Sequence, residues 1–208
     1  MLREEYRAAL GFLRGHRRLL LRVTACFFTA ALVSGVLLWF AFGNDPALLE
    51  TLMRQITEML DSKEIADAAG QLNAFRLFLA NFWASSVTLI YGMIPFLFLP
   101  LWPLILNAVL IGVVAAASLR LGFPPAALAA SLLPHGVFEL PALLLSGAMG
   151  LLLCRSIVRR ILRRPEPLRF FQLVHELLRV TVLIVVPLLA LAAVIEAYIT
   201  GPITSLFL

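Results

Sequence analysis

The chain has 208 residues, of which 62% are hydrophobic and only 14% charged, with a mean hydropathy of +0.97. Soluble domains carry about 25% charged residues, so this composition excludes a water-soluble globular protein. The net charge of +5 belongs to the basic flanks of membrane spans rather than to a nucleic-acid surface.

Residues 1–18 read as a basic amphipathic arm, with Arg3, Arg7, Arg14, Arg17 and Arg18 set among leucines and Phe12. Six arginines and a histidine lie before or at the start of the first apolar run, so no cleavable signal peptide is expected. A first span follows at about 19–42, where Arg22 near its start can snorkel to the headgroups. Residues 46–68 are of another kind. Asp45 is a plausible N-cap and Pro46 suits the first helical position. Leu49, Leu52, Met53, Ile56 and Met59 or Leu60 then recur at helical spacing. This predicts an acidic amphipathic helix that lies along the membrane or caps the bundle, and its charge is wrong for anionic lipid.

From residue 75 to 121 the sequence is almost wholly apolar, too long for one crossing, and "FLFLPLWP" divides it. Spans are predicted at about 75–98, 102–120 and 125–154, the last interrupted at Pro134, and at 179–200 after a basic segment at 155–178. The expected fold is an all-α integral membrane protein, one polytopic domain with about five transmembrane helices and one amphipathic helix outside. Thirteen basic residues then fall on the side of the amino terminus and four on the other. This bias predicts a cell-membrane protein with a cytoplasmic amino terminus and an external carboxy terminus. Cys26 and Cys154 lie inside apolar runs and read as packed thiols.

Small residues at every fourth position, Ala108, Gly112 and Ala116 on one span and Ala142, Ser146 and Gly150 on the next, predict close helix packing or a homo-oligomer interface. The stretch "PHGVFELP" places His135 and Glu139 four apart, on one face of a helix. An ionised carboxylate at a helix centre costs roughly 2.5–3.5 kcal/mol on insertion scales, so Glu139 must be paired, solvated or neutralised. Asn81, Glu196 and Thr200 fall at similar depth, toward the outer leaflet. Three readings stand for this polar cluster. It is a hydrogen-bonded knot holding a broken helix, in which Gly136 lets another helix approach and Glu139 accepts from His135 or Asn81. Or it lines a water-filled pocket or conduit. Or it is a metal site of an intramembrane hydrolase. Against the last, His16 and His175 both fall in the basic segments, which leaves no evident third ligand. No HExxH, GxSxG or GxxxxGK[ST] motif occurs either.

The stretch "LLPHGVFELPALLLSGAMGLLL" resembles the signature of the stage II sporulation protein M family. Asn81, "LNAVLIG" with Asn107 and Gly112, and "VIEAYIT" with Glu196 and Thr200 add to the likeness, which covers about residues 75–200. Asn107-Ala108 stands where many members have asparagine-glycine. The resemblance implies a multi-pass membrane protein without established enzymatic activity. It also implies a scaffold for other proteins, as the namesake is for two peptidoglycan-degrading partners, the stage II sporulation proteins D and P. The expectation is therefore a non-enzymatic subunit of a membrane assembly, with no cofactor, no metal and no nucleic acid. Its expected partners are the lipid bilayer and membrane or envelope proteins, peptidoglycan hydrolases among them. A small permease or lipid-handling component is the alternative, and an intramembrane metallohydrolase the second.

Overall fold

A computed structural model describes residues 2–61 and 73–207, and every element among them is helical. Helix α1 (Leu2–Gly15) is followed by α2 (Arg17–Asn44), α3 (Pro46–Asp61) and α4 (Ala74–Ile90). Then come α5 (Leu101–Arg120) and α6 (Pro125–Ile161). The last helical rod runs from Phe170 to Ser205 as α7 (Phe170–Val180), α8 (Val186–Ile195) and α9 (Gly201–Ser205). Two π-helical turns, Thr181–Val185 and Glu196–Thr200, join its three parts.

Four of these are long and apolar enough to cross a bilayer: α2, α5, α6 and the rod 170–205. Helix α4, with 17 residues, is about 26 Å long at 1.5 Å per residue, just short of a hydrocarbon core of about 30 Å. Large apolar side chains such as Leu32, Leu37 and Phe40 on α2 are more than 60% exposed. A surface of that kind belongs in lipid, not in water.

The bundle is assembled through close crossings. On α5, Ala108, Gly112 and Ala116 are buried against α2. A Cβ on Gly112 would lie 2.7 Å from Gly35 N and 2.8 Å from Ala31 O. On α6, Ala142, Ser146 and Gly150 are buried, and a Cβ on Gly150 would lie 2.8 Å from the Thr88 carbonyl oxygen and from the Pro100 ring. Both stripes pack within the chain. Gly35 on α2 and Gly92 after α4 are the backbone partners of these crossings.

At the basic end, α1 lays Ala9, Phe12 and Leu13 on Leu173, Leu177 and Val180 of the last rod. Arg179 ties the pair by bonding Glu5 and Glu176, each at 2.6 Å. At the other end, Leu48, Leu49, Leu52 and Met53 of α3 cover Phe42, Val113, Ala116 and Ala117. Asp45 caps α3, its Oδ1 accepting from the amides of Ala47 and Leu48. The remaining apolar positions expected on that stripe, Ile56, Met59 and Leu60, and all of residues 62–72 lie outside the description.

Two expectations are corrected. The helix expected over 75–98 stops at Ile90; a 3-10 turn (Tyr91–Met93) and an irregular stretch to Pro100 follow, with Phe96 and Phe98 at positive φ. The Pro95 and Pro100 rings deny amides to this stretch, and it packs on α6, where the thiol of Cys154 donates to Ile94 O at 3.5 Å. The interruption expected at Pro134 is absent too: α6 is one helix of 37 residues through Pro134 and Pro141. Each proline removes a single amide, and in a long packed helix the remaining ladder and neighbouring elements hold the rest.

Candidate functional site

Helix α6 and the last rod run antiparallel, and each carries a pair of polar residues four positions apart: His135 and Glu139 on α6, Glu196 and Thr200 on the rod. Antiparallel facing then sets His135 against Thr200 and Glu139 against Glu196. His135 Nδ1 and Thr200 Oγ1 are 3.3 Å apart. One potential ligating atom from each of His135, Glu139 and Glu196 lies within 4.8 Å of the others. Thr200 is buried, and the other three are half-buried.

The π-helical turn Glu196–Thr200 places the second pair. Pro202 cannot donate to a carbonyl four residues back, and its ring crowds that carbonyl. Widening the helix just before the proline relieves the crowding, and the Thr200 hydroxyl donates to Ile195 O at 3.2 Å. The same device occurs fifteen residues earlier, where the π-helical turn Thr181–Val185 precedes Pro187. Single π-turns of this kind are frequent at functional sites. The sequence signal was the pair of prolines, 187 and 202, which periodicity alone did not separate from an ordinary span.

His135, Gly136 and Glu139 also form part of the wall of a cavity of about 700 Å³ between α2, α5 and α6. Asn107 and Thr24 are the other polar groups in that wall, and leucine and phenylalanine side chains dominate the rest. Asn107 donates to its own helix at Pro103 O, 2.9 Å away. The cavity is therefore an apolar chamber with a polar patch. Gly136 has nothing within 4 Å of where a Cβ would stand. It borders open space and does not admit a neighbouring helix, contrary to the expectation from the sequence.

Asn81 sits half-buried on α4, the helix whose Phe78, Phe82 and Leu89 meet the core, and its side chain makes no hydrogen bond among the described residues. His135 reaches across to Thr200 on the last rod. The third potential ligand, sought among the histidines, is the carboxylate Glu196.

Electrostatics makes this cluster costly. The charged side chain facing Glu196 is a second carboxylate, Glu139. At an effective dielectric constant of 20, two like charges at such a distance repel by about 3–4 kcal/mol. On α6 itself no lysine or arginine occurs before Arg155, about 24 Å along the helix from Glu139. Such a group of ionisable side chains in membrane-spanning helices needs a counter-charge, a shared proton or water.

A model of the family described as stage II sporulation protein M matches residues 23–201. The chain belongs to the stage II sporulation protein M family. The matched region takes in α2 through the second π-helical turn, and so both polar pairs and both small-residue stripes. This family is not a known enzyme family. No curated protein and no solved structure matches the chain.

Proposed function

We propose that this member of the family is a non-enzymatic membrane subunit that holds other envelope proteins in an assembly, the peptidoglycan-remodelling platform of the family's namesake being the nearest precedent. The observation that carries the reading is α3. Leu48, Leu49, Leu52 and Met53 pack on Phe42, Val113, Ala116 and Ala117, which mounts the helix on the ends of α2 and α5. Glu50, Arg54 and Glu58 remain exposed on its other side. A helix mounted in this way, with a mixed-charge face exposed, is a docking element; it lacks the basic charge of a lipid-seeking one. With the basic end in the cytoplasm, α3 faces the envelope.

The test replaces residues 46–68 by a short flexible linker and compares native complexes after crosslinking and mass spectrometry. The expected result is a chain whose spans stay folded but which has lost envelope proteins that the intact chain holds in fixed stoichiometry. Retention of every partner by the shortened chain contradicts the reading.

A second reading rests on the cavity. An apolar chamber of about 700 Å³ with His135 and Glu139 in its wall has the size and lining of a small-ligand pocket. It favours the handling of a lipid or another amphipath, and displacement of a fluorescent fatty amine by Gly136→Trp, which fills open space, would show it.

A further inference from the structure

We propose that His135, Glu139 and Glu196 bind one divalent transition-metal cation of the zinc class, with Thr200 orienting the histidine. The inference does not depend on the scaffold reading, since a metal can brace two helices whatever the chain assembles.

Three observations support it. First, the donors are already gathered: one ligating atom from each of the three residues lies within 4.8 Å of the other two. Bonds of about 2.0–2.2 Å in a tetrahedron hold ligand atoms roughly 3.3 Å apart, a contraction within reach of small side-chain rotations. One imidazole nitrogen with carboxylate oxygens is a donor set that zinc and its neighbours accept, whereas calcium and magnesium prefer oxygen alone. Second, the charges fit, because a dication balances two carboxylates that face each other inside membrane-spanning helices. Third, the histidine is oriented from behind. Thr200 Oγ1 engages Nδ1, which leaves Nε2 to ligate, in the pattern by which an outer hydrogen bond fixes a ligating imidazole. Glu139 and His135 also belong to the cavity wall, so a water or ligand group could reach the ion from that chamber. The sequence concealed the site because its ligands are 57 residues apart, on two helices.

The experiment uses the full chain in detergent micelles, stripped with chelator and titrated with Co²⁺ as a spectroscopic substitute and with Zn²⁺ in competition. The expected result is about one equivalent of Co²⁺ per chain, visible absorption of a low-coordinate site, and its loss on adding Zn²⁺. Glu196→Gln, which keeps size and shape, should abolish the bands, and Thr200→Val should weaken binding by about 10-fold. Asn107→Ala, in the cavity wall but outside the trio, should leave it unchanged. Less than a tenth of an equivalent bound overturns the proposal, as does equal binding by Glu196→Gln, because the carboxylates then share a proton instead. X-ray absorption of the loaded wild-type chain gives the answer even if a variant misfolds: a nitrogen and oxygen shell supports the site, and a cysteine sulfur in the shell overturns it.

Discussion

Single side chains in this protein repair what proline breaks. Pro187 has no amide for the carbonyl of Leu183 four residues earlier. The Tyr6 hydroxyl, reaching across from α1, donates to that oxygen at 2.6 Å. Arg120 fastens the end of α2 with no proline involved: its Nε donates to Trp39 O at 3.0 Å, while the guanidinium carbon sits 4.0 Å from the centre of the Trp39 ring. Both contacts fasten an interfacial side chain to a span end, where an amphipathic side chain is best satisfied. Tyr6→Phe should therefore cost about 1–2 kcal/mol by leaving the carbonyl unpaired. In a Pro187→Ala background the restored amide takes that carbonyl, and the cost of Tyr6→Phe should shrink toward zero. A double-mutant cycle by thermal unfolding in detergent measures the difference, and equal costs in both backgrounds would show that Tyr6 contributes only packing.

At the scale of elements, helices meet where backbone can touch backbone. Gly112 and Gly35 are close neighbours, a Cβ on Gly35 lying 3.5 Å from Gly112 Cα; Gly150 meets the Thr88 carbonyl and Pro100. Gly112→Leu and Gly150→Leu should each destabilise by at least the 1–3 kcal/mol typical of overpacking, read as lower melting temperatures in detergent. Gly136→Leu, bordering open space, should not, and a uniform response of all three would contradict the crossings. These stripes were legible in the sequence because a period of four small residues has few other uses in lipid. The long apolar helices were legible for the same reason of composition. The ending of α4 at Ile90 and the continuity of α6 were not, since a proline's effect depends on what stands around its orphan carbonyl. Nor was the meeting of Glu196 with His135 and Glu139 readable as a ligand set. Depth along a span suggested that they were neighbours, but only the antiparallel register and the π-helical turn pair each side chain with its opposite.

For the whole molecule, charge and shape point the same way. Arginine gathers at the end built from α1 and α7, where Arg179 joins the two helices. The opposite end carries α3 and the residues after Thr200. The proposed role as an envelope-facing platform stands on this polarity, because α3 can meet envelope partners only if the basic end is cytoplasmic. Impermeant-maleimide labelling of intact cells decides it, using single cysteines in a background without Cys26 and Cys154. Cysteines at Glu58 and Ser205 should react from outside and one at Arg164 should react only after the membrane is opened. Labelling at Arg164 in intact cells, with Glu58 and Ser205 protected, would contradict the account.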